Sequence, residues 1–442
     1  MSSTPAQDPP PSGRWRAPIA NDPVRATVHV PGSKSETNRA LVLAALASGP
    51  SRITNPLVAR DTQLMRDALR ALGVDIAENE GEWLITPPTE FSGGGRVDCG
   101  LAGTVMRFVP PIAALATGSV FFDGDEQAYA RPLAPLLDAL SALGVRVDQV
   151  GDSEPGLPFT VHGRPDLAGG SVELDASGSS QFVSALLLVG ARYADGVEIR
   201  HVGGMVPSEP YLDMTVAMLR DRGVDVDDSR PGRWRVSPGP IAPLDVVIAP
   251  DLANAAPFLA AAAITGGSVT VPHWPRSTHQ AGDAIRGVLA EFGANVALVH
   301  DSLTAAGTDE IHGVKLDLSQ ASELVPVVAA LAAVADGTTH IHGVEHIRGH
   351  ETDRLAALAR ELEGLGAHVH ETRDGLTVRP RILGGATWHT YADHRLAHAG
   401  ALLGLVVDDV VIDDIGCVAK TMPEFVQLWT QMLADSDAAS GS

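Results

Sequence analysis

The sequence predicts an α/β protein of two domains, each built from three copies of one repeated unit. Two patterns alternate along the 442 residues: an amphipathic helix that ends in glycine before a short strand, and a helix of small apolar residues before an apolar strand. The apolar helices begin near residues 38, 103, 180, 254, 322 and 394. The spacing between successive starts exceeds the ~20–45 residues of the usual solenoid repeat. Six copies therefore favour two compact domains over a solenoid. The alternative is one large α/β domain whose segments resemble one another by chance.

Composition narrows the class of protein. The net charge of −22 argues against nucleic acid as the main partner, and the 45% hydrophobic content excludes a disordered chain. The longest apolar stretches, near 257–267 and 325–335, are shorter than the ~20 residues that span a bilayer, and no secretory signal opens the chain. Only Cys99 and Cys417 are present, too few for a disulfide framework. We therefore expect a soluble cytoplasmic protein that contacts no membrane.

The elements follow from the two patterns in chain order. Residues 1–22 and 435–442, rich in Pro, Ser, Gly or Asp, are expected to be disordered. The glycine-ended helices are expected, each with its following strand, at 64–76, 133–147, 211–226, 281–296 and 354–369. The segment IAPLDVVIAPDLANAA lies between copies three and four and is the natural domain boundary.

The segment PGSKSETNRA (31–40) predicts an anion site at a helix start. Ser35 offers a cap, while Lys34 and Arg39 flank the helix N-terminus, whose N–H groups and dipole attract negative charge. It is not a P-loop, because Ser33 precedes the lysine where that motif has glycine. A solvated cap with surface cations is the alternative.

Six further segments begin helices with polar or cationic residues or stand just before them. They contain Gly100 and Gly103; Arg131; Ser179, Ser180 and Gln181; Glu351, Thr352, Asp353 and Arg354; Asp393, His394 and Arg395; and Lys420. Each alone is explained by capping, packing or a surface cation. If the three apolar helices of each domain point the same way, two facing domains would enclose a cationic cleft suited to a polyanion.

Two other clusters carry no predicted chemistry. His340, His342, His346 and His350 lie close in sequence, but no further ligands accompany them, so no metal site is predicted. Cys99 has no evident histidine partner, so no catalytic thiol is predicted.

From about residue 24 to 433 the sequence resembles the 5-enolpyruvylshikimate-3-phosphate (EPSP) synthase family. GSKSETNRA, LAGTVMR, SSQF, HETDRL, ADHR and AKTMPEF occur in that family's order and spacing. The resemblance implies two domains, each a pseudo-threefold array of βαβαββ units, the inside-out α/β barrel of the enolpyruvyl transferases. The domains would comprise residues 33–248, and residues 23–32 with 249–434.

The resemblance also implies the reaction. Phosphoenolpyruvate would give its enolpyruvyl group to the 5-hydroxyl of shikimate 3-phosphate, releasing phosphate through a tetrahedral intermediate, on the way to chorismate and the aromatic amino acids. No metal or organic cofactor is implied, and we expect a monomer whose partners are these two small molecules. Members of the family are inhibited by glyphosate, and the residues leave the sensitivity of this chain open.

Site residues are implied by motif position. The implied shikimate 3-phosphate ligands are Lys34, Ser35, Arg39, Ser179, Ser180, Gln181, Ser208, Glu323 and His350. The implied phosphoenolpyruvate ligands are Lys34, Gly103, Arg131, Gln181, Arg354, Arg395 and Lys420. The implied catalytic groups are Glu323 as the base for the hydroxyl, and Lys34, Glu351 and His394 for proton transfer at carbon.

The sequence departs from the pattern of many relatives at four positions. Glu323 stands where many have Asp, His346 and His350 where many have Asn and Lys, and Leu101 where Asn is frequent. Two rival functions remain. One is the sister enzyme that transfers enolpyruvyl to a UDP-amino sugar, which usually has a cysteine in the loop that reads DGDEQAYARP here. The other is a phosphate-sensing binding protein without catalysis.

Overall fold

A computed structural model describes residues 13–79, 81–150 and 156–440, with side chains up to Ser436. The mixed α/β class is confirmed. Within these ranges, no helix is long and apolar enough to cross a membrane.

The structure contains both predicted kinds of helix, and those of the apolar kind are buried. The helices are α1 (Lys34–Leu46), α2 (Arg60–Ala71), α3 (Gly103–Ala113), α4 (Ala134–Ala142), α5 (Gln181–Gly190), α6 (Pro210–Arg220), α7 (Leu252–Thr265), α8 (Ile285–Glu291), α9 (Val325–Val334), α10 (Arg354–Gly364), α11 (His394–Gly404) and α12 (Phe425–Ser440). Short 3-10 helices span Glu126–Ala130, Ala281–Ala284, Ser322–Leu324, Glu345–Gly349 and Ile415–Lys420. The apolar helices α1, α3, α5, α7, α9 and α11 are buried along most of their length.

The strands are short and form one sheet per repeat. They are β1 (Trp15–Arg16), β2 (Arg25–Thr27), β3 (Ser51–Thr54), β4 (Asp75–Asn79), β5 (Glu82–Thr86), β6 (Arg96–Asp98), β7 (Gly118–Asp123), β8 (Arg146–Gln149), β9 (Phe159–Gly163), β10 (Gly170–Leu174), β11 (Val197–His201), β12 (Val226–Arg230), β13 (Arg233–Val236), β14 (Val246–Val247), β15 (Ser268–Pro272), β16 (Asn295–Val299), β17 (Ser302–Ala306), β18 (Lys315–Asp317), β19 (Thr339–His342), β20 (His368–Thr372), β21 (Gly375–Arg379), β22 (Thr387–Trp388) and β23 (Val411–Ile412).

The second copy shows the βαβαββ unit most plainly. Its strands β6 and β7 are parallel and joined by α3, and β9 runs antiparallel to both β7 and β8. The sheet orders β14-β3-β5-β4, β10-β11-β13-β12, β2-β15-β17-β16 and β18-β19-β21-β20 repeat this arrangement, and β1-β23-β22 is a shorter version. The predicted repeat is therefore present six times in the described chain.

Two strands are exchanged along the chain. β2 pairs with β15 of the fourth copy, and β14 pairs with β3 of the first. One cluster of buried apolar residues runs from Ala40 to Ile248, and a second combines Ala17–Val30 with Leu252–Met432. These two cores support the proposed division into residues 33–248 and residues 23–32 with 249–434. We call residues 33–248 the N-terminal half, and we extend the other part to residues 13–32 and 249–440, the C-terminal half, so that it includes β1 and all of α12.

The glycines that end the amphipathic helices were predicted to adopt a left-handed conformation. Their φ angles lie between +76° and +106°, a region that residues with a Cβ rarely occupy. The residues are Gly73, Gly144, Gly223, Gly293 and Gly366. At each of these glycines the chain reverses direction, and the next strand runs back along the helix that precedes it. The same reversal recurs along the chain as part of the repeat.

Three local expectations need correction. Trp15–Arg16 is not loose, because it forms β1 against β23; residues 1–12 lie outside the described ranges. The C-terminal segment is helical as far as Ser440 rather than disordered, and residues 441–442 again lie outside these ranges. Arg131 does not directly precede a helix, since α4 begins only at Ala134.

Candidate active site

One enclosed cavity lies between the two halves and collects most of the predicted site residues. Its wall is formed by Lys34, Asp61, Gly103, Thr104, Arg107, Arg131, Gly178, Ser179, Gln181, Glu323, Gly349, His350, Glu351, Arg354, His394 and Arg395. Several of these stand at helix starts: Lys34, Gly103, Gln181, Arg354 and His394 are the first residues of α1, α3, α5, α10 and α11. The buried helices thus direct their N-termini, where unpaired N–H groups favour anions, toward one space.

Lys34 is supplied by the first turn of α1. Ser33 caps this helix, accepting a hydrogen bond from the Glu36 N–H at 3.4 Å. The Lys34 Nζ lies 3.5 Å from Asp61 Oδ2, whose side chain is only 2% exposed. The lysine is therefore directed into the cavity beside a buried carboxylate.

A second group surrounds Gly103. Arg131 donates to the Leu101 carbonyl at 3.0 Å, and Arg107 donates to Gln181 Oε1 at 2.8 Å. A Cβ added to Gly103 would lie 2.9 Å from Arg131 Nη2 and 3.0 Å from Arg107 Nη1. Glycine at this position therefore permits two guanidinium groups to share one wall.

The C-terminal half contributes cations that are already paired. Arg354 donates to Asp393 at 2.7 Å and to Glu351 at 2.9 Å, and it is 2% exposed. Lys420 Nζ lies 2.5 Å from Glu351 Oε1. Because burial of an unpaired charge is costly, these carboxylates balance the cations that the sequence predicts.

Glu323 stands at the meeting of the two halves. It lies in the 3-10 turn before α9, and its Oε2 accepts hydrogen bonds from Arg395 at 3.2 Å and from the Tyr211 hydroxyl at 2.5 Å. Tyr211 belongs to α6 of the N-terminal half, so a single carboxylate joins both halves.

The two glutamates are held ionised. Burial favours the neutral form of Glu323, but Arg395, Lys34 and the Tyr211 hydrogen bond outweigh it and lower its pKa. Burial likewise opposes ionisation of Glu351, yet Lys420 and Arg354 hold its pKa well below the usual range. Both groups are bases in the absence of substrate.

The buried histidines are held neutral. Burial and the nearby Arg395 lower the pKa of His394 well below its usual value, and neither of its ring nitrogens has a hydrogen-bond partner among the described residues. Burial and Arg354 do the same to His350, whose Nδ1 lies 3.0 Å from Arg354 Nη1. That short contact makes Nδ1 the acceptor and leaves the ring proton on Nε2.

Some predicted residues stand behind the wall rather than on it: Ser35, Arg39, Ser180, Ser208 and Lys420. Arg39 is committed to internal bonds, donating to Thr215 at 2.8 Å and to the Ser35 carbonyl at 3.2 Å. Ser208 adopts φ +55°, and its N–H donates to the Ser319 carbonyl of the other half. Lys420 reaches the site through Glu351.

Six residues that line or contact the cavity were absent from the predicted set: Asp61, Thr104, Arg107, Gly178, Tyr211 and Gly349. Thr104 and Arg107 lie within LAGTVMR, so that motif indicates them together with Gly103. Asp393 was predicted as a helix-start residue, without its contact to Arg354. Asp61 and Tyr211 carry no local signal, because their partners are distant in sequence. Among the described residues, the one group of three close metal-binding side chains is the exposed set Glu310, His312 and Asp336, away from this cavity.

The fold of the chain is similar to the folds of two solved structures. An EPSP synthase from Acinetobacter baumannii superposes with a TM-score of 0.78 at 23% identity, covering 96% of this chain and 98% of that one. The enolpyruvyl transferase NikO from Streptomyces tendae gives 0.75 at 19% identity, with the same coverage of 96% and 98%. These two likenesses support the fold. A family model described as EPSP synthase (3-phosphoshikimate 1-carboxyvinyltransferase) matches residues 19–429, so the chain belongs to that family.

Proposed function

We propose that this cavity transfers the enolpyruvyl group of phosphoenolpyruvate to the 5-hydroxyl of shikimate 3-phosphate. The observation that carries the proposal is the placement of two ionised glutamates, Glu323 and Glu351, among Lys34, Arg354 and Arg395 in one enclosed space. Such a site offers bases for proton transfer and cations for two polyanionic substrates together.

Phosphoenolpyruvate is assigned to the most cationic part of the cavity. Its phosphate and carboxylate would be bound by Lys34, Gly103, Arg131, Gln181, Arg354, Arg395 and Lys420. Asp393 accepts from the Arg354 guanidinium at 2.7 Å and Glu323 accepts from the Arg395 guanidinium at 3.2 Å, so both groups are held in place before substrate arrives. Preorganised cations of this kind stabilise charge without rearranging during reaction.

Shikimate 3-phosphate is assigned to the side formed mainly by the N-terminal half. Its ligands would be Lys34, Ser35, Arg39, Ser179, Ser180, Gln181, Ser208, Glu323 and His350. Burial lowers the pKa of Arg39 to about 10, which still leaves it protonated at neutral pH. Arg39 would require a change of partner to reach the substrate, since it is bonded to the protein interior in this structure.

The addition step needs a base for the 5-hydroxyl. Glu323 is the proposed base, because its pKa is lowered and its carboxylate already accepts a hydroxyl hydrogen bond from Tyr211. The oxygen then bonds to C2 of phosphoenolpyruvate while C3 takes a proton, giving the tetrahedral intermediate. Loss of phosphate and of one methyl proton completes the transfer.

Proton transfer at carbon is assigned to Lys34 and Glu351, with His394 beside them. Lys34 is the acid we favour for protonating C3, because Glu351 is held as the carboxylate and His394 as the neutral imidazole. Glu351 is then the proposed base for the methyl proton. Neutral His394 would orient the reacting groups by hydrogen bonding from its unpartnered ring.

The chain is proposed to act as a monomer in the cytoplasm. A single chain is sufficient to line the cavity, which supports the monomer proposal. Cys99 and Cys417 are free, which suits a reducing compartment.

A phosphate-release assay tests the proposed activity. Protein mixed with both substrates should release phosphate, and neither substrate alone should do so. Release with a UDP-amino sugar instead of shikimate 3-phosphate would indicate the sister reaction. Binding of phosphoenolpyruvate without any release would indicate a binding protein.

A further inference from the structure

A polar cluster lies where the chain crosses between the two halves. Residues 31–33 and 249–251 run side by side, with Gly32 bridged antiparallel to Pro250. Ser33 N–H donates to the Ala249 carbonyl at 2.8 Å, and Asp251 N–H donates to the Pro31 carbonyl at 2.9 Å. This crossing also begins the first turn of α1, which carries Lys34.

Glu36 departs from the local bonding that its position favours. Ser33 and Glu36 have the spacing of a capping box, in which the glutamate would accept from the N–H of the capping residue. That N–H is already taken by Ala249, and Glu36 Oε2 instead accepts from the Ala249 N–H at 3.1 Å. Both polar groups of the Ala249 backbone are thus bound to the start of α1.

The other carboxylate oxygen of Glu36 reaches the C-terminal half. Gln280 donates to Glu36 Oε1 at 3.1 Å and to the Pro250 carbonyl at 2.9 Å, while its own Oε1 accepts from Leu252 N–H at 3.0 Å. The amide of Gln280 therefore ties the first turn of α1 to the crossing segment and to the start of α7. Its 6% exposure shows that these bonds have little competition from water.

Asp251 fixes the same turn from a second direction. It caps α7 by accepting from Asn254 N–H at 3.0 Å, and its other oxygen accepts from the backbone N–H of Lys34 at 3.1 Å. The backbone of Lys34 is therefore held by Asp251, and the turn that follows it is held by Glu36. The Lys34 side chain leaves this turn toward Asp61 and the cavity.

We propose that Glu36 is a positioning residue that, through Ala249 and Gln280, fixes the first turn of α1 so that Lys34 lies correctly in the anion site. This inference rests on the proposed function. Burial raises the pKa of Glu36 to about 6, so it is ionised at pH 7.5 and strengthens both of its hydrogen bonds there. A misplacement near 1 Å can cost about 100-fold in rate, so loosening this turn should be visible in kinetics.

The test compares Glu36→Ala, Gln280→Ala and Glu36→Ala/Gln280→Ala by phosphate release at pH 7.5. We expect kcat/KM for phosphoenolpyruvate to fall about tenfold in each single variant, with the double variant little worse. Glu36→Gln, which keeps an acceptor for Ala249, should lie between wild type and Glu36→Ala. Glu291→Ala, at an exposed glutamate of α8, is the control and should match wild type.

The same substitution made in the Lys34→Met variant distinguishes a loss of positioning from a general destabilisation of the protein. Because Glu36 acts through Lys34, adding Glu36→Ala to Lys34→Met should cause no further loss. Wild-type kcat/KM in Glu36→Ala, or the full tenfold loss repeated in the Lys34→Met background, would overturn the proposal.

Amide exchange of Ala249, Asp251 and Leu252 measures, without substrate, how firmly this crossing segment is held. It should be faster in Glu36→Ala than in wild type, and unchanged exchange would overturn the proposal. This readout also keeps the inference testable if the wild-type protein shows no phosphate release, which would refute the proposed function alone.

Discussion

The Tyr211 hydroxyl donates a 2.5 Å hydrogen bond to Glu323 Oε2, and this bond joins α6 of the N-terminal half to the turn before α9 of the C-terminal half. Glu323, the proposed base, therefore has all of its bonding partners only when the two halves are in contact. Its ionised state depends on Lys34 and Tyr211 from one half and on Arg395 from the other.

Replacing Tyr211 by Phe should shift the acid side of the pH profile. The hydrogen bond is one of the contacts that lower the pKa of Glu323, so its loss should move the acidic limb of kcat to higher pH. Steady-state phosphate release between pH 5 and 8 measures this. Tyr129→Phe is the matched control, because Tyr129 also donates to a carboxylate, Asp123, but is 47% exposed. An unmoved limb in Tyr211→Phe would contradict the prediction.

Glu323→Gln should reduce turnover by at least about 100-fold, because an amide cannot accept the hydroxyl proton. Binding of shikimate 3-phosphate should be largely kept, since the shape of the side chain is preserved. Phosphate release and titration calorimetry measure the two effects separately. A variant with near-normal turnover would remove Glu323 from the mechanism.

Lys34→Met should weaken binding of both substrates, because the ammonium group lies in the cavity between their proposed positions. Calorimetry with each substrate measures the change. Lys315→Met, at an exposed lysine of β18, removes the same charge elsewhere and should bind normally. Unchanged affinities in Lys34→Met would contradict the assignment.

Gly103→Ala should raise KM for phosphoenolpyruvate, because the new methyl group would approach both guanidinium groups to about 3 Å and displace them. Shikimate 3-phosphate affinity should change by less than about twofold, since Arg131 is assigned to phosphoenolpyruvate alone. Gly287→Ala, with open space around its Cβ, is the control. A normal KM would show that the arginines adjust freely.

The thermal stability of Glu36→Gln should depend on pH in a defined direction. Burial raises the pKa of Glu36 from 4.5 to about 6, so the folded protein binds this proton more tightly than the unfolded chain. That stabilisation is complete below pH 4.5 and is lost as the pH rises through 6. The Tm of the variant minus that of wild type should therefore increase between pH 4.5 and 7. A constant difference would contradict the raised pKa.

Local patterns were sufficient to predict the repeat. Apolar spacing and helix-ending glycines such as Gly73 and Gly144 act within one helix and its following strand, so their meaning does not depend on distant residues. The helix-start cations were predictable for the same reason, since a helix N-terminus is a local anion site.

The remaining parts of the site depend on contacts distant in sequence. Tyr211 and Glu323 are separated by 112 residues, and Lys420 and Glu351 by 69. No local pattern indicates that a predicted cation is already paired or that Asp61 enters the cavity. The pairing of Trp15–Arg16 with β23 was missed for the same reason, because its partner lies at the other end of the chain.

The exchange of β2 and β14 has a consequence for how the chain is made. β2 leaves the ribosome long before its partner β15 exists, and the first sheet waits for β14 until the whole N-terminal half has been synthesised. Cleavage after residue 248 would leave β1 and β2 on the N-terminal fragment, so the C-terminal fragment would lack a strand in each of two sheets. Folding of both halves therefore cannot be completed until synthesis is well advanced, although each single repeat is short.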